Sequence, residues 1–318
     1  MSRFSPRRIQ ISSLVLALSL CTIPAVAQFA HPSASNVLTP TTTVAWELEQ
    51  SVDPLRSGYV APWKAQETWY LAALRDGVVL RTERIGHGIT NPFKAEVEYD
   101  EHRIYAVWKP IVEANFDERE TYEAEVAAYR LSAELGLDMV PPTVERKIGR
   151  RWGSLQLWVD NHRMFSDVMD ERPDGYMGSD QFQLMRFFDA LIDNPDRNAG
   201  NYLVDRAWQI VLIDHSRAMD FAARGPKRDA PMPHRYERNV VERLRSLDVA
   251  RLHELLGDLY TKGEIKRLVG SANKLLSFVD REVELHGHNV VFFERPERKR
   301  QPTFATAQLR FPAQPDTE

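Results

Sequence analysis

With 318 residues, 43% of them hydrophobic and 27% charged, the chain can bury a substantial core in one large domain or in two lobes. That balance excludes disorder along the whole chain. The formal net charge of −4 gives general nucleic-acid binding no electrostatic support, so no nucleic-acid partner is expected.

The first 27 residues read as an address. Arg3, Arg7 and Arg8 precede an apolar stretch over 11–20, and Ala25-Val26-Ala27 is an A-x-A cleavage site. The stretch is too short for a comfortable membrane span, so no stable span is expected after cleavage. Leu20 before Cys21 is not the small residue that lipid attachment requires. Cleavage removes three Arg and no acids, taking the net charge from −4 to −7, and it removes the one cysteine. The expected location is outside the cytoplasm, in a bacterial periplasm or secreted, with no disulfides. Residues 28–44, with Pro, Ser and a Thr run, have a linker composition. Apolar and charged residues mix from Trp46 onward. Trp63, Trp69 and Tyr70 read as packing residues rather than a stacking site.

Ile104-Tyr105-Ala106-Val107-Trp108-Lys109 predicts a strand ending in Lys-Pro. Alternation puts Tyr105, Val107 and Lys109 on one face and Ile104, Ala106 and Trp108 on the other. Such a lysine either snorkels to water or, with a carboxylate to hold it, reaches nucleotide phosphates. Asp117-Glu118-Arg119-Glu120 has the form of a capping box and predicts a helix over 117–135, ended by Gly136 and by Pro141-Pro142. Tyr122, Val126, Tyr129 and Ala133 form its apolar stripe. Glu125 lies at the border, either solvated or, if the stripe packs on the sheet, aimed at Lys109.

The lobe boundary is expected after the strand 155–159. Residues 166–180, with Pro173, Gly175 and Gly178, read as a loop. Asp180 is the expected cap of a helix over 181–192, whose Phe182, Met185, Phe188 and Leu191 stripe would anchor the segment that follows.

That segment carries the strongest chemical signal. Asp196-Arg197-Asn198-Ala199-Gly200-Asn201 places an Asp and an Asn at kinase catalytic-loop spacing, and the apolar run 210–213 leads into Asp214. Taken singly these are ordinary turn residues. Together they supply what phosphoryl transfer needs: a carboxylate for the hydroxyl proton, then an amide oxygen and a carboxylate for magnesium. Further on, Arg224, Lys227, Arg228 and Arg235 interleave with prolines, as a solvated loop or a grip for an acidic substrate. Helical runs follow at 236–256 and 261–286, then a Pro-rich, charged tail from 294. Zinc is disfavoured, because His286-Gly287-His288 lacks a third ligand nearby. Asp214-His215-Ser216 is a poor hydrolase triad, since neighbours on one strand face opposite ways.

Residues 122–131, Gly136 to Pro142, Val107-Trp108-Lys109-Pro110, Gly153 to Gln156 and Asn194-Pro195-Asp196-Arg197 together resemble the secretory-pathway kinases of the Golgi casein kinase type. More distantly, the Asp-Arg-x-x-x-Asn core and the following Ile-Asp are similar to the phosphatidylinositol 3- and 4-kinases. The resemblance covers roughly residues 85–220. It implies that Lys109 contacts phosphates with Glu125 as its helix partner, that Asp196 is the catalytic aspartate, and that Asn201 and Asp214 bind metal. It further implies that Gly86, Gly88 and Thr90 lie in a turn over the phosphates. Two departures stand out. Asn198 occupies a position where many relatives have His, and Asp214-His215-Ser216 replaces Asp-Phe-Gly.

The expected fold is therefore α+β and two-lobed, protein-kinase-like. An antiparallel sheet with one key helix forms an N-lobe over 45–160, and a mainly helical C-lobe covers 161–293, with a flexible tail over 294–318. The implied cofactors are ATP or another nucleotide with Mg2+ or Mn2+, and the implied partner is an unidentified hydroxyl-bearing acceptor. A periplasm holds little ATP, so a non-catalytic binding protein and a nucleotidyl transferase stay open as alternatives.

Overall fold

Alternating burial along the Lys109 segment produces a strand, and four others join it. The structure is a computed structural model that describes residues 61–86, 92–111, 120–220 and 232–295. The expected leader, the linker, Gly88, Thr90, Asp117, Arg224, Lys227, Arg228 and the tail beyond 295 lie outside the described residues. The strands are β1 (Val78–Arg84), β2 (Phe93–Tyr99), β3 (His102–Lys109), β4 (Thr143–Ile148) and β5 (Arg151–Leu157), in the order β1-β2-β3-β5-β4. Every neighbouring pair is antiparallel. Asp100 and Glu101 join β2 to β3 with φ of 50° and 61°, the positive angles of a two-residue type I′ hairpin.

Ile104, Ala106 and Trp108 turn into the upper core with Ala95, Val97 and Leu155, leaving Tyr105, Val107 and Lys109 on the other face, as the alternation predicts. Helix α1 (Glu67–Asp76) closes that core with Tyr70, Ala73 and Leu74. It is a second helix where one was expected, because its apolar residues mix with charged ones and give little periodic signal. Trp63 is buried and Trp69 meets Tyr70 edge-on, so these rings are packing residues.

Helix α2 (Tyr122–Glu134) begins later than the run at 117–120 suggested. Thr121 caps it, its Oγ1 accepting from the Ala124 N–H at 3.3 Å. Its burial is nearly all round rather than along one stripe. Ala124, Val126, Ala127 and Ala128 are buried, while Tyr122 and Ala133 are only half-buried. The reason is position: α2 lies against β4 and β5 on one side and a lower helix on the other. Gly136 ends this segment with φ +65°, the left-handed geometry that glycine adopts at little cost.

The lower lobe is mainly helical. Strands β6 (Arg163–Met164), β7 (Tyr202–Val204) and β8 (Ile210–Leu212) form its small sheet. The expected loop over 166–180 instead contains α3 (Phe165–Val168) and two short 3-10 turns, with Phe165 and Tyr176 buried in a stack of aromatic rings. Tertiary burial of those rings overrides the Pro and Gly signals. Ser179, not Asp180, caps α4 (Asp180–Leu191); Asp180 accepts from Arg235 instead. The predicted stripe Phe182, Met185, Phe188 and Leu191 is buried. The run expected over 236–256 is two helices, α5 (Arg238–Ser246) and α6 (Val249–Leu256), divided where Asp248 starts a new cap. The long α7 (Lys262–His286) follows, opened by a capping box between Thr261 and Glu264. All described residues belong to one compact unit, and among them no helix is long and apolar enough to cross a membrane.

One backbone approach sets how closely β5 can run beside β3. A Cβ built on Gly153 would stand 2.6 Å from the Lys109 carbonyl oxygen and 2.8 Å from the Pro110 Cα. Both are backbone atoms with little freedom to move away. Gly153→Ala is therefore expected to cost about 1–3 kcal/mol, the usual scale of overpacking. Denaturant unfolding measures this, and an unchanged midpoint would show that the two strands yield easily.

Candidate active site

The site forms where β3, α2 and the segment after β8 converge. Lys109 ends β3 with its side chain on the face away from the upper core. Its Nζ lies 2.6 Å from Glu125 Oε1 and 3.0 Å from Asp214 Oδ1. Glu125 is 1% exposed, and its other oxygen accepts from the backbone N–H of His215 at 3.0 Å. Burial works against the charge on Lys109, but Asp214 and Glu125 outweigh it and hold the amine above the ordinary lysine value. Burial likewise opposes the Glu125 charge, yet Lys109 and then His215 keep this carboxyl well below the usual carboxylate range. Both groups are ionised at neutral pH.

Asp214 has φ +56°, a left-handed conformation that Asp tolerates better than most residues. Its Oδ1 also accepts from Ser216 Oγ at 3.1 Å, a bond that the glycine of Asp-Phe-Gly cannot make. His215 takes the place of that Phe as a fully buried ring, edge-on to Phe188. Burial pushes its imidazole below the ordinary value against the opposing pull of Glu125, so the ring is neutral at pH 7. Its Nδ1 stands 3.5 Å from Glu125 Oε2, an electrostatic approach rather than a hydrogen bond.

Asp196 and Asn201 come together on the loop between α4 and β7. Asn201 Nδ2 donates to the Asp196 carbonyl at 2.6 Å and approaches Asp196 Oδ2 at 3.4 Å, leaving its Oδ1 as the atom for a cation. The Asp196 side chain is 37% exposed. Asn198 is spent within the loop, donating to the Asp196 carbonyl and accepting from Gly200 N–H. Gly86 stands just past β1, where an added Cβ would meet nothing within 4 Å, and the neighbouring Ile85 N–H donates to the Pro92 carbonyl at 2.9 Å. The sequence-identified residues thus form two groups, Lys109 with Glu125 and Asp214, and Asp196 with Asn201.

Arg197, not picked out individually from the sequence, joins the two groups. It lies buried beneath the loop, bonded to Asp189 of α4 at 3.0 Å and to the carbonyls of Asn201 and Ile213. One guanidinium therefore fixes the backbone of one proposed metal residue and of the residue before the other. The available signal was Asp189, a charge inside the apolar stripe of α4. Glu120 and Arg217 were also missed. Arg217 Nε lies 2.9 Å from Glu120 Oε1 and 3.7 Å from Asp196 Oδ2.

Among the described residues no group of three or more His, Cys, Asp or Glu is placed to hold a metal by itself. The donors present are the amide oxygen of Asn201 and the carboxylate of Asp214. Two hard oxygens suit magnesium or manganese shared with phosphate oxygens and water.

Arg197→Met is expected to destabilise the protein by about 3–5 kcal/mol, because it strands Asp189 as a buried, uncompensated charge. Adding Asp189→Leu should recover part of that loss. A double-mutant cycle read by denaturant unfolding checks the coupling, and strictly additive losses would deny it.

No family model matches the chain. A curated Mycobacterium tuberculosis protein, Rv2133c, is 27% identical over 182 residues, and the match covers 45% of this chain. The chain spans 64% of the length of that relative. Among solved structures, hydra Fam20 with sugar superposes with a TM-score of 0.55 at 14% identity, covering 79% of this chain and 98% of that one. The Golgi casein kinase with Mn/ADP bound gives 0.55 at 15% identity, covering 87% and 98%. The chain has a Fam20-like atypical kinase fold, with the antiparallel sheet as N-lobe and the helices as C-lobe.

Proposed function

We propose that the protein is a metal-dependent phosphotransferase that moves the terminal phosphoryl group of a nucleotide such as ATP to a hydroxyl acceptor. The observation that carries this reading is that the Lys109–Glu125–Asp214 cluster is tied to the Asp196–Asn201 loop, through Arg197 and through the Ile213 N–H on the Asn201 carbonyl. The Golgi casein kinase structure has Mn/ADP bound, which supports nucleotide and metal use by a protein of this fold.

Each residue has a task in this reading. Lys109, held by Glu125, presents a fixed positive charge to nucleotide phosphates. Gly86, Gly88 and Thr90 are assigned to a turn whose backbone N–H groups would cover those phosphates. Asp196 accepts the proton of the attacking hydroxyl. Asn201 and Asp214 would hold the metal, which when bound neutralises charge on the transferring phosphoryl group. Arg197 keeps these donors in place, and the buried Glu125–His215 contact fixes the segment on the other side of Asp214. The leader-like start at 1–27 supports placing this activity outside the cytoplasm, on an acceptor encountered there.

Thermal shift with ATP and manganese tests the cleft. A ligand at 100 times its dissociation constant adds roughly 2.7 kcal/mol of stability. Asp214→Ala should abolish most of that gain, and Asn201→Ala should reduce it less, because a neutral ligand is lost. Asp196→Asn should keep the gain while phosphoryl transfer or phosphate release falls about a hundredfold or more. Binding without turnover in the wild type would favour a non-catalytic binding protein; pyrophosphate release would favour nucleotidyl transfer. If Asp214→Ala binds metal and nucleotide like the parent, the assignment of this cleft is wrong.

Intact-mass measurement of protein from its native host tests export. The expected mature chain begins at Gln28, and an uncleaved cytoplasmic product would remove the case for an external substrate.

A further inference from the structure

We propose that Ser216 is a positioning residue whose hydroxyl holds Asp214 so that the carboxylate offers a cation one oxygen rather than two. The inference rests on the phosphotransferase reading and deepens it, because it gives the site a preference among divalent ions.

Both hydrogen bonds on the Asp214 carboxylate fall on the same atom. Oδ1 accepts from Lys109 Nζ at 3.0 Å and from Ser216 Oγ at 3.1 Å, and among the described residues no hydrogen bond falls on Oδ2. A carboxylate only accepts, so the hydroxyl is the donor and its single proton is spent there. The Asp214 side chain is 33% exposed, and Oδ2 is the oxygen left for a cation.

The two donors differ in how firmly they hold this arrangement. The ammonium of Lys109 is a point charge on a flexible four-carbon stem, and under the proposed function it also serves the nucleotide phosphates. The torsion that turns a carboxylate about its own axis is broad, so a lysine contact alone lets the plane swing. Ser216 has a short stem and a fixed root. It is buried, and its carbonyl accepts at 2.9 Å from the N–H of Thr121, the cap of α2. The neighbouring peptide groups are fixed as well. The His215 N–H donates to Glu125 at 3.0 Å, and the Ala218 N–H donates to the His215 carbonyl at 2.8 Å. Ser216 therefore stays on Oδ1 when Lys109 turns to a nucleotide. The glycine of Asp-Phe-Gly has no side chain with which to do this.

Occupying Oδ1 has a chemical consequence. Calcium takes many oxygens in a loose shell and accepts both oxygens of one carboxylate. Magnesium demands a strict octahedron, and manganese shares that oxygen geometry. With Oδ1 held by a hydroxyl, Asp214 suits the stricter ions. Without the hydroxyl, both oxygens can close on calcium.

The test uses the purified full chain, Ser216→Ala, Ser216→Gly and Ser216→Thr. Binding of Mn2+ in the presence of ADP is followed by the paramagnetic resonance signal of free Mn2+, and Ca2+ is titrated in as competitor. Melting without ligand reports whether each variant folds. Ser216→Ala and Ser216→Gly are each expected to weaken Mn2+ binding roughly tenfold or more, the scale of losing a partner that orients a metal ligand. Their Ca2+ affinity should stay or rise. Ser216→Thr keeps the hydroxyl and should restore most of the preference for Mn2+. If the Ala and Gly variants bind Mn2+ with ADP like the parent, the inference fails while the phosphotransferase reading stands. Equal losses for Mn2+ and Ca2+, or a Thr variant no better than Ala, would show that packing at residue 216 matters and not the hydroxyl, which overturns the inference. If the wild type neither binds Mn2+ with ADP nor releases phosphate from ATP, both readings fall together.

Discussion

Asp214 is held from both sides by buried charge, and the cleft depends on that constraint. The residue before it, Ile213, gives its carbonyl to Arg197, which is paired with Asp189 in the lower lobe. The residue after it, His215, gives its N–H to Glu125, which is paired with Lys109 of the sheet. A buried ion pair is expensive to form and adds little net stability, but it is very costly to break once in place. Two such pairs gripping adjacent peptide groups can keep a single Asp at φ +56° without help from a glycine. The price of burial is therefore spent on position rather than on stability.

The same requirement explains the composition of α2. This helix must bring Glu125 within 2.6 Å of a lysine on the sheet while its other side meets the lower lobe. Large side chains would hold the helix off. Instead, Ala124, Ala127 and Ala128 are completely buried, and Thr121 and Glu120 at its start bond to the segment that follows Asp214. Helix, sheet and the Asp196–Asn201 loop meet through short side chains and charges. A shift of α2 would consequently disturb the Lys109 pair and the surroundings of Asp196 together.

Local signals in the sequence reached the pieces of this arrangement better than its joints. Strand alternation placed Lys109 on the correct face of β3, and the period of α4 identified Phe182, Met185, Phe188 and Leu191 as core. Both depend on neighbours within one element. Cap positions were less legible because capable residues stand close together: Thr121 lies just past the Asp117 to Glu120 run, and Ser179 stands beside Asp180. The aromatic stack of Phe165, Tyr176 and Tyr202 was hidden because it joins distant segments. The bonds from Arg197 to Asp189, and from Arg217 to Glu120, cross between elements in the same way. A charged residue inside an apolar stripe, such as Asp189, was the one visible trace.

The charges named around the cleft do not cancel. Glu120, Glu125, Asp189, Asp196 and Asp214 face Lys109, Arg197 and Arg217, so five carboxylates outnumber three cations by two. His215 does not alter the balance, since burial keeps it neutral. A nucleotide triphosphate brought alone to such a place adds several negative charges where two are already uncompensated. At the effective dielectric of a partly buried site, each repulsion at about 4 Å is on the order of a few kcal/mol. One divalent cation removes the excess of two. Under the proposed function, the surplus of carboxylates among these described residues favours nucleotide binding together with a divalent metal.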